Sequence, residues 1–361
     1  MEGRIGIGLG PTVEGRRWVR LTNERPLAVQ GLLTGCTAQE AVARVGLLFS
    51  LCRQAQRAAC AAALQAAAGR SERSDPGGPV RRQLLTELAR EHLRLLLGAP
   101  AGRMASGAAQ ALRPLAAEGA VDLWRALRDV LSGLVLGEPP QIWLARDAQG
   151  WLDWCRQRHT APARLLDHLL DIVPPDHPHT GLLPNLASWR REHAAAIAVR
   201  CLADARFCRQ PEWAGAPAET GALARWLGEA RLQNWLDRFG RGPAVRVLAR
   251  LLELASLAEW LAGEGPPLVR AWTLDEGTGV AAAETARGLL LHVVRLRAGR
   301  VRDYRIIAPT EWNFHPRGVL WEQLLNLPWP VPPDRLHAQT QALVAGLDPC
   351  VDWYIESAHH A

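Results

Sequence analysis

Short alternating apolar stretches open the chain. Residues 4–8 and 17–21 are predicted to be β-like, inside a Gly-rich lead made of the first 35 residues. Thr37 then reads as an N-cap, with Glu40 three residues on at capping-box spacing. The alanine-rich apolar segment that follows runs to about Ala68 without proline or an interior run of charges, and is predicted to be one largely buried helix. GRSERSDPGGPV (69–80) reads as a polar loop. From Arg81 to about Leu261 the periodicity is helical. RRQLLTELAREHLRLLL sets leucines on one face and arginines and glutamates on the other, and further helices fit 104–117, 120–136, 161–172, 185–208, 218–238 and 243–264. Proline-rich breaks such as PPDHPHTGLLP (174–184) separate several of them.

The pattern changes after Pro266. LVRAWTLDEG and GLLLHVVRLRAGRVRDYRIIAPTEWN read as strands, with RAGR as the turn of a hairpin between 289–297 and 300–307. A Pro-rich stretch, PWPVPPD, and a short helix from near Arg335 close the chain. The predicted fold class is mainly α with small β elements (α+β), in one domain over 1–361. Within it, 1–36 holds N-terminal β segments, 37–265 a helical core, 266–310 β segments and 311–361 a C-terminal segment with a DPC motif.

Composition narrows the class. The chain has 361 residues, 48% hydrophobic and 22% charged, which suits a folded globular domain with a sizeable core. No apolar run approaches the roughly 18–20 residues that span a bilayer, and MEGRIGIGLGPTVEG lacks the pattern of an export leader. A cytoplasmic protein with no membrane partner is expected. The 42 basic residues are all arginine, which beside so much alanine reads as a GC-rich genome rather than a function. A net charge of +6 is too modest at this length to call for nucleic acid. Seven cysteines, an odd number without an export leader, are expected to be reduced thiols, mostly packed. Most of the 15 tryptophans should be core, with those of 312–330 as candidate interface anchors.

Familiar motifs are poorly supported. GIGLG (6–10) is followed by Pro11 and a β-like stretch, with no helix N-terminus to hold a phosphate. HPH (177–179) has no Cys or His partner at zinc spacing. Cys201 and Cys208, on one predicted helix, read as core packing. Cys60 lies two turns and about 12 Å beyond Cys52 on the same helix, too far to share one metal ion, and also reads as packed.

Five segments taken together resemble the large subunit of nickel–iron hydrogenases. ARG (286–288) matches that family's P-R-G. APTEWN (308–313) matches its P-T/S-T-W-N. DPC (348–350) matches the start of its terminal D-P-C-x-x-C-x-x-H. Glu2-Gly3-Arg4 fits its E-G-H, and LLFSLCRQAQ (47–56) aligns with its R-x-C-G-x-C-x-x-x-H. The resemblance implies a large-subunit-like fold. It also implies that four cysteine positions correspond to the thiolates that hold nickel, two of them bridging to an iron that carries one carbon monoxide and two cyanides. Here only Cys52 and Cys350 remain. Phe49 and Trp353 occupy the other two positions, and neither side chain can ligate a metal, so no four-thiolate nickel site is available. Gln56 and Glu356 stand where the family has histidines.

The retained pattern is similar to the HupK/HoxV family of hydrogenase maturation proteins. That resemblance implies a scaffold rather than an enzyme. It would hold iron transiently as Fe(CN)2CO, without nickel, between Cys52 and Cys350. Arg287 and Thr310 match the residues that line the cyanide pocket, and Glu2 matches the family's proton-path glutamate, for which a structural or cyanide-pocket role is open without hydrogen chemistry. The implied partners are hydrogenase maturation proteins and the hydrogenase large-subunit precursor. Cys52 is the second cysteine of its pair and Cys350 the first of its own, so the iron would sit differently from that of the enzyme. A metal-free adaptor that binds the same partners through a hydrogenase-like surface fits the sequence as well.

Overall fold

The computed structural model describes residues 3–12, 14–24, 29–70, 77–98, 123–262 and 264–356. Its strands are β1 (Arg4–Pro11), β2 (Arg17–Asn23), the two-residue β3 (Gly181–Leu182) and β4 (Ala218–Glu219), β5 (Val269–Asp275), β6 (Thr278–Thr285), β7 (Gly288–Arg297), β8 (Arg300–Ile307) and β9 (Asp352–Ile355). The principal helices are α1 (Ala38–Leu48), α2 (Arg53–Ala67), α3 (Pro79–Leu97), α4 (Ala161–Ile172), α5 (Arg191–Ala203), α6 (Pro243–Ala255), α7 (Pro309–Asn313) and α8 (Pro333–Leu347). The predicted helix 104–117 lies outside the described residues.

The centre is an antiparallel meander, β5-β6-β7-β8, covered on both faces. One face sets Val280, Ala282, Leu291 and Ile307 against Trp189, Ile197 and Cys201. The other sets Ala271, Ala281, Val294 and Tyr304 against Cys60, Ala63 and Ala67 of α2. Burial on both faces explains why β7 reads as a continuous apolar run rather than an alternating one. It also explains β6, TGVAAAET, which the apolar pattern does not single out as a strand. Its side chains are small because α2 lies directly on it. A Cβ at Gly279 would overlap the Ala63 carbonyl and the Ala67 amide.

A second sheet joins the two ends of the chain. β1 pairs antiparallel with β2 and parallel with β9, so Ile5 lies beside Trp353 and Ile7 beside Ile355. The glycines of GIGLG are strand residues: a Cβ at Gly8 would come within 2.9 Å of both Glu356 and Trp18. The tryptophans of 312–330 make contacts within the chain. Trp312 is fully buried, Trp321 donates to the Val19 carbonyl at 3.1 Å, and Trp329 donates to the Gly15 carbonyl at 3.2 Å while Arg17 stacks on its ring.

Three expectations change. The single helix over 37–68 is two, α1 and α2, broken at 49–52, where Phe49 is extended at φ −122°. No proline or glycine marks the break; α3 makes it, as described below. PTEWN is not strand but the short helix α7, with Pro309 at its first position and the Ala308 N–H donating to Glu311 at 2.9 Å. The predicted helices 185–208 and 218–238 are each interrupted, the first after Ala203 by an extended Asp204 and the second by β4 and a turn at Gly221.

α6 runs through the middle of the molecule. All of its residues are buried, Arg246, Arg250 and Glu253 included. Among the described residues no helix is long and apolar enough to cross a membrane. The close α2–β6 approach yields a test. Gly279→Ala should lower stability by about 1–3 kcal/mol, the usual cost of overpacking a tight contact. Urea denaturation would measure it, and an unchanged midpoint would contradict the packing described.

Candidate functional site

Cys52 is the N-cap of α2 and stands on the break between α1 and α2. An N-cap normally uses its own side chain to satisfy the first amides of its helix. Here a neighbouring helix does so. Glu87 of α3 accepts the N–H of Gln54 at 2.7 Å and that of Ala55 at 3.0 Å. The Cys52 sulfur is thereby left free of that duty and half-buried, and it accepts the Gln56 amide N–H at 3.7 Å.

Cys350 comes from the other end of the chain. α8 ends on Asp348, whose left-handed φ of 52° turns the backbone so that Pro349 and Cys350 face the first turn of α7. Thr310, on that turn, has its Oγ1 3.0 Å from Cys350 Sγ and accepts the Cys350 N–H at 3.4 Å. Arg287 sits in the turn between β6 and β7. Its Nε donates to the Asp348 carbonyl at 3.0 Å and its Nη2 to Glu91 of α3 at 2.9 Å. Gly288 follows at φ 129°, where a Cβ would collide with Thr220, so this turn requires glycine. Asn313 of α7 ties the two segments together by donating to the Arg287 carbonyl at 3.2 Å.

The structure therefore brings together Cys52, Cys350, Thr310 and Arg287. Cys350 and Arg287 both lie close enough to Cys52 for their charges to act on its thiol. Burial pushes that thiol up to about 12, and the negative charges of Cys350 and Glu87 add to the rise, while Arg287 opposes it. Glu2 lies outside the described residues. Arg4 opens β1 and is exposed, and the other five cysteines are buried. The two positions where the resemblance sets further cysteines hold packing residues: Phe49 lies against the α2 side of the central sheet, and Trp353 against the main core. Glu356 pairs with Arg20 at 2.6 Å. Among the described residues no group of three or more His, Cys, Asp or Glu side chains is placed to hold a metal ion.

Behind the site runs a buried line of alternating charge. Glu284 of β6 bonds Arg225 at 2.7 Å. Arg225 grips Glu253 of α6 with two bonds of 2.9 Å, and Glu253 meets His92 at 3.3 Å. His92 accepts from Arg250 at 3.2 Å, and Arg250 faces Asp348 at 3.7 Å. Arg94 at 2.9 Å and Arg287 at 3.3 Å complete the surround of Asp348. Burial alone would raise the Asp348 carboxyl, but Arg287, Arg250 and Arg94 outweigh it and hold it below its ordinary value. Burial also keeps His92 neutral, so four arginines (94, 225, 250, 287) face four carboxylates (Glu91, Glu253, Glu284, Asp348).

Several of these residues gave no signal in the sequence. Glu87 and Glu91 read there as the solvent face of an amphipathic helix, yet both are half-buried and turned to the site. Their spacing of one helical turn was visible; what they face was not.

A family model described as nickel-dependent hydrogenase matches residues 266–350. Over nearly its whole length the chain is similar to the hydrogenase expression/formation protein HoxV of Cupriavidus necator, with 31% identity covering 94% of this chain and 92% of that protein. It is similar also to the hydrogenase expression/formation protein HupK of Azotobacter vinelandii, with 30% identity covering 93% of each. Among solved structures it resembles an NAD+-reducing NiFe hydrogenase in the H2-reduced state. The TM-score is 0.58 at 16% identity, over 95% of this chain and 94% of that one, a likeness that shows the fold.

Two outcomes are expected. Asp348→Asn should cost about 3–5 kcal/mol at neutral pH, because it strands buried arginines. The folded carboxyl lies below 3.8, so its contribution is present above that value and fades as pH falls through the folded value. Denaturant melts of both proteins should therefore converge in acid. In metal-free protein the alkylation rate of Cys52 should keep rising past the ordinary thiol value of 9.0 toward about 12, as mass spectrometry of a pH series would show.

Proposed function

The chain belongs to the family of hydrogenase expression/formation proteins that includes HoxV and HupK, and we propose that it serves hydrogenase maturation as a non-catalytic scaffold for iron. In this reading it holds an iron–dicyano–carbonyl fragment between Cys52 and Cys350 and releases it to the large-subunit precursor. The observation that carries the reading is the convergence of two half-buried thiols, from opposite ends of the chain, beside Thr310 and Arg287.

The chemistry follows from the donor set. Low-spin iron with strong-field ligands is a soft centre and favours thiolate. Cyanide nitrogens accept hydrogen bonds, and Arg287 and Thr310 are the donors at hand. Phe49 and Trp353 leave nickel without its thiolates. The high pKa of Cys52 suits a carrier: the empty protein keeps a protonated, slow-reacting thiol, and the iron must displace that proton to bind, so a proton taken up again favours release.

One feature favours the adaptor reading. Leu47 is 83% exposed and Leu48 40% at the end of α1, next to the break that carries Cys52. A surface of this kind serves a docked partner whether or not metal is held.

Infrared spectroscopy decides between them. Full-length protein, purified anaerobically from cells expressing the maturation machinery, should show metal-bound CO and CN bands that vanish in Cys52→Ala and in Cys350→Ala. Protein without such bands that still restores hydrogenase maturation would leave the adaptor.

A further inference from the structure

A line of buried side chains leads away from Cys52 into the central sheet. Cys52, Gln56 and Cys60 follow one another at one-turn spacing along one stripe of α2. Gln56, His292 of β7, Tyr304 of β8 and Cys60 are all fully buried. Gln56 Nε2–H donates to Cys52 Sγ at 3.7 Å. Its Oε1 is an acceptor only, so the His292 Nε2 found 2.8 Å from it carries the ring proton. A neutral imidazole has one such proton. Nδ1 is then the acceptor, and it takes the Tyr304 O–H at 2.6 Å. Burial pushes His292 down to about 3, which keeps the ring neutral. The Cys60 thiol packs beside Tyr304 in the same buried cluster. From Tyr304 through His292 to Gln56 each donor points toward Cys52.

A glutamine amide can present either end to a neighbour. What favours the N–H end here is the opposite end, whose oxygen already takes the His292 Nε2–H. Tyr304 in turn satisfies the Nδ1 acceptor of that tautomer. We propose that His292 and Tyr304 are positioning residues for the iron site: they orient the Gln56 amide so that its N–H rests on the Cys52 sulfur and withdraws electron density from it. The proposal rests on Cys52 being an iron ligand. A sulfur so bonded donates less to a bound iron, which then back-donates less into carbon monoxide.

The test uses the full-length chain. In iron-loaded protein the CO band should move to lower wavenumber in Gln56→Leu, and by less in His292→Leu and Tyr304→Phe. His292→Gln, whose amide donates from the position of Nε2, should return the band toward its wild-type place. Tyr304→Phe keeps the ring and its volume, so the test survives if His292→Leu does not fold. A band unmoved in every variant, or moved in Gln56→Leu alone, overturns the proposal. A second readout needs no iron. At fixed pH, alkylation of Cys52 relative to Cys350 in the same metal-free molecule should slow about two- to tenfold in Gln56→Leu and His292→Leu, the factor that one hydrogen bond supplies. Unchanged rates overturn the hydrogen-bond line. Wild-type protein without CO bands would instead sink the scaffold reading, and the alkylation rates would still decide whether the line acts on Cys52.

Discussion

Asp348 is the point on which the arrangement turns. Three arginines from three elements meet it: Arg94 from α3, Arg250 from α6 and Arg287 from the β6–β7 turn. A carboxylate this deeply buried is tolerable only when so surrounded. The surround has a geometric effect. It fixes the end of α8 against the central sheet and the helical core at once, and Cys350 is two residues further on. The same arginines lead to Glu253 and Glu284 through His92 and Arg225, so the position of one thiol is tied to the interior of the whole domain.

The other thiol is placed by a different device. α1 and α2 would continue as one helix if local preference decided the matter. Glu87 supplies the amide acceptors that a broken helix lacks, and α2 can therefore start afresh at Arg53 with Cys52 at its tip. α3 thus serves both sides of the site, with Glu87 behind Cys52 and Glu91 on Arg287 one turn later. That double service is why two cysteines so far apart in the chain come near the same arginine, Arg287.

Related folds need not share chemistry, and the difference here lies in a few side chains. The hydrogenase-like scaffold keeps its sheet, its R-G turn and its D-P-C end. Phe49 and Trp353 stand as packing residues at two positions where the resemblance sets thiolates. Glu356, where the resemblance sets a histidine, pairs with Arg20 and lies over Gly6 and Gly8. What remains is a pair of thiols, Cys52 and Cys350, with Thr310 and Arg287 around them.

Much of this was legible in the chain. The hairpin of β7 and β8, the helix 161–172 and the capping box at Thr37 follow from local periodicity and turn chemistry, which tertiary contacts did not override. The motifs around Arg287, Thr310 and Cys350, and the loss of two cysteines, are facts of sequence alone. The break before Cys52, the strand TGVAAAET and the helix PTEWN were not legible. Each is set by a partner distant in sequence or by a close approach that periodicity does not record: Glu87 for the first, the backbone of α2 for the second, the seat of Asn313 on the Arg287 turn for the third. The same holds for the buried charges. Arg250, Glu253 and His92 read as the polar side of ordinary helices, and only the fold decides that they face one another, because a buried charge is permitted by its partner and not by its neighbours in the chain.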